Sequence, residues 1–81
     1  MGVMAAYLAR ITVRDVLDND ERAGMGDALR AVEALEQAAG TVTFLVRGEA
    51  PDLAAASAAA HEHAAEILDG YTYEVAVSEM P

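Results

Sequence analysis

Hydrophobic and polar positions alternate in three stretches of the chain. In YLARITVR, Tyr7, Ala9, Ile11 and Val13 fall on one side; in TVTFLVR, Val42, Phe44 and Val46 do; in YTYEVAVS, Tyr71, Tyr73, Val75 and Val77 do. A period of two in β-branched and aromatic residues is the strand signal. Two other stretches have helical period. Stepping about 100° per residue from Asp20, Met25, Ala28, Val32, Leu35 and Ala39 form one stripe, with Arg22, Arg30, Glu33 and Gln37 opposite. Gly40 then reads as the residue that closes this helix. A second helix opens at Pro51-Asp52, carries Leu53, Ala56, Ala60, Ala64, Ile67 and Leu68 on its stripe, and closes at Gly70.

These elements predict one α+β domain over residues 1–81, in the order β-α-β-α-β. Alternation on every strand implies a sheet with one buried and one polar face, whereas a doubly wound sheet buries both. The expected architecture is therefore a two-layer α/β sandwich related to ferredoxin-like folds, with a three-stranded sheet and both helices on one face. A parallel sheet with a bare face is unusual. Either some strands pair antiparallel, or a second copy covers that face.

Composition changes this picture in three ways. Cysteine is absent from the 81 residues, which removes disulfides and cysteine-ligated zinc and leaves packing or self-association to stabilise a small core. All five basic residues are arginine, and with abundant alanine and no lysine this is the codon signature of a GC-rich genome. The formal charge of −9 disfavours nucleic acid and anionic membranes, and favours a basic protein partner. No segment reaches the apolar length of a membrane span, and MGVMAAYLA lacks the basic start of a signal peptide and the Ser or Thr of a myristoylation site. A cytoplasmic location is expected.

Four features carry candidate chemistry. The first is the outer sheet face: Arg10, Thr12, Arg14, Thr43, Leu45, Arg47, Thr72, Glu74, Ala76 and Ser78. It reads as an ordinary solvated face with cross-strand pairing to Glu74, as a dimer or partner interface, or as a site for an anionic ligand or nucleic acid. An RNA platform would need stacking aromatics there, and none is present. The second is DVLDNDERAGMGD, residues 15–27. Arg22 and Ala23 occupy ligand and glycine places of an EF-hand loop, and Leu29 stands where a phosphate loop needs its third glycine. Helix capping by Asp18 or Asp20 is the simpler reading, with Glu21 completing a capping box if Asp18 is the cap. The glycine pair also allows a helix that starts only at Asp27.

The third feature is His61-Glu62-His63. Two positions apart on a helix, the histidines flank the apolar stripe on opposite edges and cannot share one metal from that helix. They read as boundary residues, and no metal site or cofactor is expected. The fourth is the alanine surface of the same helix, Ala54, Ala55, Ala58, Ala59 and Ala65, which serves either helix propensity or the close approach of a partner.

The run from Thr41 to Glu79 has a strand, then Ala50-Pro51-Asp52 at a helix start, spaced alanines, and a Tyr-rich alternating strand. It resembles small ferredoxin-like or half-ferredoxin accessory proteins encoded by phages of high-GC bacteria. The resemblance implies a non-enzymatic protein that acts by contact, as a modulator or inhibitor of a host protein. The function expected is thus a small acidic protein-binding module, dimeric, with Arg10, Arg14, Arg47, Glu62 and Glu66 as partner-binding residues. Its acidic helix face would comprise Glu33, Glu36, Glu62, Glu66 and Asp69. The rival is a small dimeric ferredoxin-like enzyme or ligand-binding protein, with a pocket between sheet and helices bearing His61, His63 or Tyr73.

Overall fold

The computed structural model describes residues 4–38 and 40–80, and contains β1 (Ala5–Val13), α1 (Asn19–Leu29), β2 (Glu33–Ala38), β3 (Thr41–Ala50), α2 (Leu53–Ile67) and β4 (Tyr73–Glu79). The sheet has four strands in the order β2-β3-β1-β4, and every neighbouring pair is antiparallel. The expected strand faces are correct. Tyr7, Ala9, Ile11, Val13, Val42 and Phe44 are buried, and Val46, Tyr73, Val75 and Val77 are half-buried. Both helices pack on that face, because Met25 and Leu29 of α1 and Ala64 and Leu68 join Ile11, Val13, Val42 and Phe44 in one core cluster.

The three-stranded expectation is corrected to four. The first helix does not run to Gly40 but ends at Leu29, and residues 33–38 form β2. Val32, expected on the buried stripe, is 61% exposed. Ala39, the last residue of that stripe, lies outside the described residues, as do residues 1–3. The stop is a local hydrogen-bonded device. Arg30 adopts left-handed φ 59° and ψ 39°. Its N–H donates to the Asp27 carbonyl, and the Ala31 N–H donates to that of Gly26 at 2.9 Å. This is the Schellman arrangement, closed by an arginine where glycine is usual. Glu, Ala, Leu and Gln are helix formers, so intrinsic preference in EALEQA is overridden by pairing with β3. Gly40, φ 80°, sits in the tight connection where Ala38 faces Thr41. The same positive φ that suits a helix end suits this turn.

At its other end α1 begins at Asn19 and not at Asp27. Asp18 is extended, and its Oδ1 accepts from the Glu21 N–H at 2.7 Å. The Glu21 Oε1 accepts from the Asp18 N–H at 3.3 Å, which completes the capping box. The glycine pair inside the helix has a partial explanation in packing. Gly26 faces the largest buried side chain closely: a Cβ there would stand 3.4 Å from Phe44 Cε1, at the near limit of ordinary contact. Asp52 caps α2 in the expected place, accepting from the Ala55 N–H at 2.8 Å.

Phe44 sits where both helices and the two central strands meet, fully buried. Its truncation to alanine removes about 3–5 kcal/mol, from a total of order 4–12 kcal/mol for a chain this size. A Phe44→Ala variant should lose most of its cooperative urea transition, read by far-UV circular dichroism.

Candidate functional site

One face of the sheet carries no helix among the described residues. The register sets its side chains in rows: Glu33, Leu45, Arg10 and Ala76; Leu35, Thr43, Thr12 and Glu74; Arg47, Leu8 and Ser78. Leu8, Leu35 and Leu45 are half-buried by their neighbours alone, and Thr43 is only 6% exposed. The Thr12 and Thr43 hydroxyls lie 3.1 Å apart and satisfy each other at the centre. At the rim Arg14 meets Glu74 at 2.8 Å, a largely exposed pair that adds little stability. Arg10 donates to Ser78 Oγ at 3.2 Å.

Charge is partitioned between the two layers. On the uncovered face and its ends, Arg10, Arg14 and Arg47 are balanced by Glu33, Glu49 and Glu74. The entire formal −9 therefore resides elsewhere, in the helices, the loops, Glu36 of β2 and Glu79 of β4, where only Arg22 and Arg30 oppose the remaining acids. Of the expected partner-binding residues, Arg10, Arg14 and Arg47 share the uncovered face, with Arg14 and Arg47 toward its opposite ends. Glu62 and Glu66 are exposed on α2, on the other side of the sheet, so the five do not form one patch. The expected acidic helix face is also broken: Glu33 and Glu36 belong to β2, and Glu36 lies 3.4 Å from Arg22 of α1.

Between the layers, a pocket of about 260 Å³ opens over the second half of β3. It exists for a geometric reason. Eleven helical residues span roughly 17 Å and ten strand residues roughly 33 Å, so α1 covers only half of β3. The other half is faced by α2 through Ala56, Ala59 and Ala60, and Gly48 contributes no side chain from below. The buried core is consequently split. The main cluster lies around Phe44, and a small one of Tyr7, Ala50 and Ala56 borders the pocket, which Tyr7 and Ala56 line. Gly48, Ala59 and Arg30 were not singled out by sequence reasoning for this place. The available signal was the glycine inside a strand pattern, which marks a site of close approach or missing packing.

His63 borders this pocket, while His61 is exposed and Tyr73 does not line it. The His63 Nε2 lies 3.0 Å from the Leu29 carbonyl. A carbonyl only accepts, so Nε2 carries the proton, and the ring ties α2 to the last turn of α1. No three His, Cys, Asp or Glu side chains converge as a metal would require among the described residues. No helix among them is long and apolar enough to cross a membrane. Comparison with protein-family models, curated proteins and solved structures finds no match for the chain.

Two tyrosines have raised pKa values. For Tyr7 the causes are burial, then the charges of Glu79 and Asp52. For Tyr71 the main cause is its hydrogen bond to Glu21 Oε2 at 3.2 Å, then the charge of that carboxylate. That contact links the entry to β4 with the capping box of α1, and the Thr72 N–H donates to Asp15 Oδ2 beside it at 2.6 Å. A raised tyrosine pKa supplies stability that is complete below the ordinary value of about 10 and is lost as pH rises through the folded value. Thermal midpoints should therefore fall as pH rises above about 10, and fall less steeply in Tyr71→Phe than in the native chain.

Proposed function

We propose that the chain is a non-enzymatic protein-binding module that pairs with a second copy of itself through the uncovered face of its sheet. The charge partition carries this reading. A protein of net −9 resists self-association wherever its acids face each other, and this face alone is neutral. Its apolar residues, Leu8, Leu35 and Leu45, lie among arginines and glutamates that a two-fold axis can set against their opposites. Four strands about 4.8 Å apart and some seven residues long give roughly 450 Å² in projection per copy. A face-to-face dimer would bury on the order of 1,000 Å², near the lower bound of a specific interface.

The order β-α-β-β-α-β with strands arranged β2-β3-β1-β4 supports a ferredoxin-like assignment. A dimer of this kind keeps its acidic helices outward, Glu62, Glu66 and Asp69 among them, free for a basic protein in the cytoplasm. The likeness to phage accessory proteins gives that partner a direction, a host protein that is modulated or inhibited. The pocket beside His63 favours a second reading, a ligand-binding protein. Saturable binding of a free small apolar molecule there would favour it over the first.

Sedimentation equilibrium should give twice the chain mass at micromolar concentration. Leu45→Asp puts a carboxylate beside Glu33 at the centre of the face and should weaken the dimer at least tenfold with the fold retained. A native chain that stays monomeric at millimolar concentration overturns the self-association.

A further inference from the structure

β2 pairs with β3 only from Thr41 to Leu45, while β1 pairs with β3 through Ala50. The second half of β3 is thus a sheet edge. Val32 donates its N–H to the Leu45 carbonyl at 2.7 Å, so Leu45 directs its backbone groups toward β2. These directions alternate along a strand, and Arg47 and Glu49 direct theirs the same way. Past the end of β2 they meet no strand among the described residues. An unpaired edge of this kind is a template for an extended chain.

The pocket lies directly behind this edge. Side chains of β3 alternate, so Gly48 belongs to the inward row with Val46 and Ala50. A Cβ built on Gly48 meets nothing within 4 Å. The place beside Gly48 in that row would be taken by the middle residue of an added strand, and its side chain would enter the space under Ala59 and Ala60. On the outward row stand Arg47 and Glu49, both exposed and neither in an ion pair among the described residues. An antiparallel strand, which continues the pattern of the whole sheet, would set a basic residue opposite Glu49, an apolar one opposite Gly48 and an acidic one opposite Arg47.

We propose that the open half of β3 takes an extended peptide of a partner protein as an added antiparallel strand, with the pattern basic–apolar–acidic and the apolar side chain seated in the pocket. This rests on the protein-binding reading above and names the chemistry of the partner. Backbone hydrogen bonds at Arg47 and Glu49 supply affinity, and the pocket and the two charges supply selection. The second copy of this chain would not fill the pocket, because its own matching run, Arg47-Gly48-Glu49, has no side chain at the middle position.

The probe is a capped pentapeptide with lysine, leucine and glutamate at its centre, titrated into the full chain and followed by amide and methyl NMR. Saturable shifts are expected at the Arg47 and Glu49 amides and at the Ala59 and Ala60 methyls. A central glycine in the peptide should weaken binding at least tenfold. Gly48→Val fills the pocket from below at an unstrained position and should do the same in a folded protein. Arg47→Glu should prefer the peptide whose glutamate is replaced by lysine. The docking mode is overturned by absence of saturation at millimolar peptide, by binding that Gly48→Val leaves intact, or by isovaleramide alone reproducing the shifts at equal affinity. Edge amides protected in a concentration-dependent way without peptide would overturn it too, in favour of a second copy. Repeating the titration in Leu45→Asp separates the two surfaces: binding retained in the monomer leaves the edge standing whatever becomes of the sheet face.

Discussion

The end of α1 at Leu29 is the constraint on which the rest of this fold depends. Two backbone hydrogen bonds closed by a left-handed Arg30, and a third from His63 to the Leu29 carbonyl, hold it there. A left-handed non-glycine residue costs about 1–2 kcal/mol, so the stop persists because the surroundings over-determine it. The main consequence is that residues 33–38 are released to pair with β3. The sheet gains its fourth strand, and β3 becomes a central strand in its first half. A longer helix would have left Phe44's strand at the edge of a three-stranded sheet.

The same stop leaves the second half of β3 open. A short helix cannot cover a long strand, and the space it leaves is bordered by alanines and by Gly48. This assigns a meaning to three alanines of α2, Ala59 of its alanine surface and Ala56 and Ala60 of its buried stripe. Alanine favours the helix by propensity, but at Ala56, Ala59 and Ala60 it also fails to fill the interlayer space. The core pays with a division into two clusters. His63, which looks like a boundary residue on the helical wheel, is the contact that binds α2 to α1 at the rim of this space.

Charge is sorted along with packing. Strands that alternate place Arg10 and Arg47 on the uncovered face with Glu33 and Glu74, and most of the acids in surplus fall on helices and loops. The acidic capping residues Asp18 and Asp52 follow the same logic, since each accepts an otherwise unpaired N–H at the positive end of a helix. The chain thus concentrates its repulsive charge where water covers it and keeps one broad surface neutral.

Much of this was legible in the chain. Period two in YLARITVR and TVTFLVR fixed which residues face the core, because a strand places alternate side chains on opposite sides whatever it pairs with. Asp18 with Glu21, and Asp52 after Pro51, marked helix starts, because capping needs only neighbours in sequence. The uncovered face and its arginines followed from the same alternation. EALEQA misled, since its residues favour a helix and only the edge of β3, distant in sequence, makes a strand of them. The pocket was hidden too. Its walls come from β1, β3, β4, α2 and the last turn of α1, and no local pattern reports that one element is shorter than the element it covers. The sequence by itself determined the local periods, the caps and the sidedness of each strand, which short-range sterics and hydrogen bonds decide. The tertiary structure alone decided strand number, order, the open edge and the pocket, because those depend on which distant segments compete for the same backbone hydrogen bonds.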